Sequence, residues 1–308
     1  MDIAVLGADS VGRVVARLCS LSGDEVRLHS HDATIVMDSI DVVERELDDA
    51  QAAGELDESA RDDAIDRLEA TTGLEAAVSD ADVVIETTTA DTTALQERFA
   101  EVEPLVGRET LITTASPLSS ITAAAAGLRH PDRALGLHFP QRSDGALVEV
   151  VVAEQTTMDA VQRAERFVDG LPGEWIRVRD GPGNASMRLA LALEVEAMRM
   201  VETHVADVEA IDVALKQGYG SEVGPLERAD RAGLAERLET LEYLADEVGP
   251  RFSPPEILVS LVSAGNTGVD AGEGFYVWEG GEPTESAFQD PTVPRREEGL
   301  DDPAGERQ

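Results

Sequence analysis

The sequence predicts an α/β protein: a doubly wound, mostly parallel sheet followed by an all-α C-terminal domain. Three observations point to it. Short apolar runs alternate with helix-periodic segments through the first 180 residues, the pattern of strands joined by crossover helices. A glycine turn, Gly7 to Gly12, sits between the first such run and the first periodic segment. Beyond the breaker cluster DGPGNAS the pattern changes, and Met187 to Ala264 is helix-periodic throughout. A chain of 308 residues with 42% hydrophobic residues exceeds what one core usually organises, so two domains are expected.

Ile3 to Leu6 reads as the first strand, and Val11 to Leu21 as the helix that follows the turn. Val26 to Leu28 is a second strand. After it, two amphipathic segments, Ile35 to Gln51 and Asp57 to Ala70, meet at Gly54 as a helical hairpin over 35–70, with Asp57 capping its second arm. Val83 to Ile85, Thr110 to Thr113, Ala134 to Leu137 and Leu147 to Val152 are further strands. The first domain is therefore placed at residues 1–180. In the second, 181–279, a long helical run breaks near Ala206, and Pro225 to Asp230, Ala235 to Glu247 and Pro254 to Ala264 form three more helices. Residues 280–308 are proline-rich, charged and nearly free of aliphatics, which predicts a disordered acidic tail.

Charge is the strongest compositional signal. There are 62 acidic against 25 basic residues, a net charge of −37, and Lys216 is the sole lysine. Nucleic acid is an unsuitable partner, because such binding needs clustered cations. Self-repulsion on this scale destabilises a compact chain in dilute buffer. Molar salt shortens the screening length from about 10 Å to about 3 Å, so a high-KCl, halophilic cytosol is expected. The start MDIAVLGADS carries neither a basic leader region nor a cleavage pattern, and no apolar run reaches the roughly 18 to 20 residues of a membrane span. A cytoplasmic location with no membrane partner follows as the expectation. Cys19, the single cysteine, lies in an apolar helical stretch and is expected to be a buried thiol, and no metal site is expected.

The turn Gly7-Ala8-Asp9-Ser10-Val11-Gly12 stands where a dinucleotide fingerprint of a Rossmann-type domain belongs. Gly7 permits the tight turn and Gly12 lets helix and strand pack closely. The middle glycine, which lets backbone approach a pyrophosphate, is Asp9. Two readings carry equal weight: a cofactor seat with an opposing charge, or an aspartate capping the helix and filling the anion site with its own oxygen. At the end of the second strand, where an acidic residue normally accepts from ribose hydroxyls, the chain has Ser30 followed by His31, a hint of NADP beside NAD. His138 ends one strand, and Glu149 lies on the next. A histidine oriented by a carboxylate suits proton exchange with a substrate hydroxyl, while the redox chemistry belongs to a nicotinamide. The plainer alternative is a structural histidine.

In order, DADVVIE, HPDRALGLHF, LVEVV, DGPG, AIDVALKQGYG, VGPLERAD and GEGFYVW resemble the 3-hydroxyacyl-CoA dehydrogenase family from Ile3 to Trp278. The resemblance implies His138 and Glu149 as catalytic dyad, Gly7, Asp9, Ser10, Val11, Gly12, Ser30, Thr87 and Ala90 along an NAD site, and Ser116, Gln141 and Asn184 toward substrate. It further implies an acyl-CoA substrate, a homodimer formed through the α domain, a role in fatty acid metabolism, and a CoA-contacting helical hairpin.

Departures from the family pattern cluster at functional positions. The segment Thr114-Ala115-Ser116-Pro117-Leu118 replaces a serine- and asparagine-bearing stretch; Gln141 stands in for an asparagine, with one residue fewer before Glu149. Asn184 and Met187 replace a phenylalanine and an asparagine, although Arg188 is kept. Leu95, Asp270, Ala53 and Glu55 take positions where the family has lysines. Three functions are therefore carried forward: an NAD(P)-dependent oxidoreductase acting on 3-hydroxyacyl-CoA, a catalytically silent homologue acting as a binding or scaffold protein, and a same-fold dehydrogenase of a free hydroxy acid.

Overall fold

The computed structural model describes residues 1–88, 91–140 and 147–288. Its chain divides into two compact units, Met1–Arg188 and the residues from Leu189 onward.

In the first unit, strand β1 (Asp2–Leu6) leads through the glycine turn into helix α1 (Ser10–Leu21), and β2 (Glu25–His29) pairs parallel to β1. The hairpin follows as α2 (Ala33–Ala52) and α3 (Glu58–Asp66), with the Asp57 carboxylate accepting from the Ala60 amide at 2.8 Å. Its second arm is shorter than the periodicity predicts: Leu68–Thr71 leaves the helix to form β3, an edge strand beside β2. Then come α4 (Leu74–Val78), β4 (Val83–Glu86), α5 (Thr92–Val102), β5 (Leu111–Thr114), α6 (Ile121–Ala125), β6 (Ala134–His138), β7 (Leu147–Val152), α7 (Met158–Val168) and β8 (Glu174–Arg179).

The eight strands run in the order β3-β2-β1-β4-β5-β6-β7-β8, parallel except for the antiparallel pair β6–β7. Both faces are covered, and alternate residues of β1 show how. Ile3 and Val5 pack on one side with Val15 and Cys19 of α1, Ile40 of α2 and Phe167 of α7. Ala4 and Leu6 pack on the other with Val78 of α4, Phe99 of α5 and Ala124 of α6, the period-2 division of a sheet buried on both faces. Leu95, at a position where the resemblance implies a lysine, is fully buried in that second layer. Cys19 is fully buried, and burial drives its thiol far above the ordinary range.

The second unit holds most of α8 (Ser186–Glu202), then α9 (Val208–Tyr219), α10 (Pro225–Ala232), α11 (Leu234–Glu247) and α12 (Glu256–Ala264). A hairpin of β9 (Tyr276–Glu279) and β10 (Glu282–Ser286) ends it. This corrects the expectation of a disordered tail from residue 280: β10 pairs with β9, and Ala287 N donates to Phe275 O at 2.9 Å. The remainder of that tail, 289–308, lies outside the described residues. Asp230 fixes the start of the hairpin, accepting from the amides of Phe275 and Tyr276, both at 2.9 Å, and from Trp278 Nε1 at 3.0 Å. Gly274 must lack a side chain because a Cβ there would lie 2.2 Å from Asp230 Oδ1. Among the described residues, no helix is long and apolar enough to cross a membrane.

Candidate active site

Strand order reverses about β1 and β4, and open sheets take ligands in the crevice beyond the carboxyl ends of such strands. The glycine turn and Thr87 meet there. Gly7 adopts φ +135°, and a Cβ on it would lie 2.1 Å from Thr87 Oγ1, so only glycine passes. Its amide donates to His29 O at 3.0 Å, closing the turn against β2. A Cβ on Gly12 would meet Gly7 O at 1.9 Å, which is the close helix–strand approach expected of that glycine.

Asp9 is the N-cap of α1. Its Oδ1 accepts from Gly12 N at 2.7 Å and from Thr87 Oγ1 at 3.2 Å. Of the two readings open for this residue, the structure therefore contains the cap. Ser10 and Val11, in the first turn, have amides without intrahelical acceptors, the donors a phosphate uses at a helix N-terminus. Ser30 follows β2, its amide bonded to Thr71 O at 3.3 Å and its hydroxyl accepting from Asp32 N at 3.3 Å. His31 is exposed beside the buried His29 ring, their centroids 4.9 Å apart. Turn, glycines and two open amides fit a dinucleotide. The Asp9 carboxylate is the discordant group. Ala90 and Gln141 lie outside the described residues.

Two strands farther along, the ladder of β6 and β7 sets His138 directly opposite Glu149. Residues opposite each other in an antiparallel pair project on the same face. His138 Nδ1 and Glu149 Oε2 are 2.6 Å apart, and both residues are buried, so the missing residue between these strands does not separate the pair. Glu149 is also bound from the start of α8: Oε1 accepts from the amides of Ala185 and Ser186, both at 3.0 Å, and Oε2 from Ser186 Oγ at 2.7 Å. Burial alone would push its carboxyl up. The hydrogen bonds from the His138 ring, the Ser186 hydroxyl and the Ser186 amide outweigh that and hold it below the usual carboxylate range. An ionised Glu149 can only accept, so His138 Nδ1 carries the hydrogen, and in the neutral ring the lone pair is then on Nε2.

Ser186 is the functional residue that sequence reasoning missed, its signal hidden in a segment read only as a breaker. Asn184 enters indirectly: its left-handed conformation, φ +47°, turns the chain so that the next two residues face Glu149. Ser116 follows β5, which pairs with β6 up to Thr114 and Gly136, so Ser116 and His138 each lie two residues beyond the last pair. The Ser116 hydroxyl accepts from Leu118 N at 3.4 Å and Ser119 Oγ at 3.3 Å. Pro117 O accepts from Gly183 N at 2.9 Å, tying this loop to the lead-in of α8.

The family model for the 3-hydroxyacyl-CoA dehydrogenase NAD binding domain matches residues 2–181, and that for the C-terminal domain matches residues 183–278. The chain belongs to the 3-hydroxyacyl-CoA dehydrogenase family. It is 31% identical over 284 residues to a 3-hydroxybutyryl-CoA dehydrogenase of Mycobacterium tuberculosis, spanning 90% of this chain and 98% of that protein. It is 30% identical over 281 residues to the 3-hydroxyadipyl-CoA dehydrogenase of Escherichia coli, over 90% of this chain but 58% of that longer protein. Among solved structures, M. tuberculosis FadB2 superposes with a TM-score of 0.85 at 30% identity, over 90% of this chain and 99% of that one. In the 3-hydroxyacyl-CoA dehydrogenase frame, the crevice at the glycine turn falls in the NAD binding domain, as does the His138–Glu149 pair.

Proposed function

We propose that this protein is an NAD-dependent dehydrogenase interconverting 3-hydroxyacyl-CoA and 3-oxoacyl-CoA, with His138 as proton acceptor and donor and Glu149 as the residue that positions it. The observation that carries this is the buried 2.6 Å contact between them, with Glu149 satisfied from every side. Bound NAD supplies the hydride acceptor. His138 Nε2 takes the proton of the substrate hydroxyl, and Glu149 stabilises the imidazolium that forms; the reverse direction returns the proton to the oxyanion. Buried Glu149 keeps one tautomer in place throughout. Gly7, Ser10, Val11, Gly12 and Thr87 would hold the dinucleotide, and Ser116 and Asn184 would border the substrate. Ser30, in place of an acidic residue, leaves room for NADP as well.

The setting follows from surface chemistry. With 62 acidic residues, the chain belongs in the multimolar KCl of a halophilic cytoplasm. It works as a homodimer through the second unit, where Leu189, Leu193, Val213 and Tyr219 are exposed; light scattering in KCl checks this.

The function is tested by titrating NADH and NADPH in KCl through nicotinamide fluorescence and assaying acetoacetyl-CoA against free acetoacetate. Turnover of the thioester with NADH is expected; turnover of the free acid alone would move the assignment to a hydroxy acid dehydrogenase. The Asp9 cap favours a second reading, a catalytically silent binding protein. Absence of binding by either dinucleotide at millimolar concentration would select it.

A further inference from the structure

Resting on the assignment of the crevice as a dinucleotide site, we propose that Asp9 is the residue that sets dinucleotide affinity, by occupying part of the phosphate seat with its own carboxylate. Three first-turn amides of α1 face that seat, and Asp9 Oδ1 already takes the one from Gly12 at 2.7 Å. The Thr87 hydroxyl, just beyond the end of β4, bonds the same oxygen at 3.2 Å. The backbone of Asp9 is in the ordinary extended cap conformation, φ −85° and ψ −172°, so no strain drives the carboxylate away. A pyrophosphate reaching Ser10 N and Val11 N therefore meets a third negative charge at the same helix end.

At about 4 Å and an effective dielectric near 20, such a contact lowers affinity by up to nearly a thousandfold, and screening reduces the effect. Salt thus acts in an unusual direction. Ordinary binding of an anion to protein cations weakens as salt rises, whereas relief of a like-charge contact strengthens it.

Asp9→Asn separates charge from structure. Its amide oxygen keeps the bonds to Gly12 N and Thr87 Oγ1, and asparagine caps helices as well as aspartate does. The experiment titrates NADH against the full-length wild type and Asp9→Asn, at the lowest KCl at which circular dichroism shows both folded and again at about 3 M. Uncharged adenosine, followed by calorimetry, is the control ligand. Asp9→Asn should bind NADH at least about tenfold more tightly at the lower salt, with the advantage shrinking at the higher. Wild-type affinity should rise between the two salts, and adenosine should bind both proteins alike. Equal NADH affinity in the two proteins at low salt, or an equal gain for adenosine, would overturn the role given to Asp9 alone. Failure of both proteins to bind NADH at either salt would overturn the dinucleotide site with it.

Discussion

Among the carboxylates that sit at helix N-termini in the first unit, Asp9 at α1 and Glu149 at α8 make an instructive pair, because local chemistry treats them alike. Asp9 accepts one first-turn amide and Glu149 two at its helix start, and each takes one hydroxyl, from Thr87 and Ser186 respectively. Their surroundings divide them. Glu149 reaches its helix from a strand 37 residues earlier, is fully buried, and offers its remaining capacity to His138. Asp9 belongs to the very turn it caps and stands in the crevice where a ligand's phosphates would go. A carboxylate at a helix end can thus complete a site or compete with its ligand, depending on which element delivers it.

The contrast breaks most sharply at the histidine. His138→Ala is expected to lower kcat for acetoacetyl-CoA by about 10² to 10⁴ while leaving NADH binding in place; unchanged kcat by stopped-flow absorbance would remove His138 as the base. Next in size, Glu149→Ala leaves the amides of Ala185 and Ser186 without their acceptor, at about 1 to 3 kcal/mol each for groups that stay dry. Thermal unfolding should show a several-degree drop, and an unchanged midpoint would mean that water replaces the carboxylate. Gly12→Ala forces a Cβ onto Gly7 O and should cost about 1 to 3 kcal/mol, with NADH affinity lost together with stability. Ser186→Ala removes one hydrogen bond, about 1 kcal/mol, and should slow turnover only severalfold.

Acid gives the finest comparison. Because Glu149 is held below its ordinary value, its contribution to stability is fully present above the unfolded value of about 4.3 and is lost as pH falls through the lower folded one. Ser186→Ala raises the folded value toward the unfolded one, so in a melt series the acid-dependent loss should be smaller and should end at a higher pH, and coincident pH dependences for the two proteins would show that the hydroxyl does not hold the carboxylate down.

What the sequence made legible follows from what is local. Six strands, the turn glycines and the capping by Asp57 are read from adjacent residues, and the structure has them. Strands β3 and β8 escaped because they lie at the two edges of the sheet: LEAT continues a helical rhythm, and EWIRVR is mostly exposed, with Trp175 only partly packed. Ser186 escaped for a different reason. Nothing in DGPGNAS announces that a glutamate on a distant strand will need its hydroxyl; only the register of β6 against β7 brings the partners together. For Asp9, sequence allowed a cap or a ligand seat, and the cap becomes visible only in a 2.7 Å distance.

Sealed on the buried face of α1, Cys19 gives the molecule a built-in clock. The chain has one sulfhydryl, fully shielded against the sheet, so a thiol-labelling dye can reach it only when that packing comes apart. The rate at which the dye attaches is then a count of openings of the dinucleotide-binding half, obtainable without any substrate, and following it across a potassium chloride gradient would show how strongly so acidic a protein leans on its counterions to stay closed.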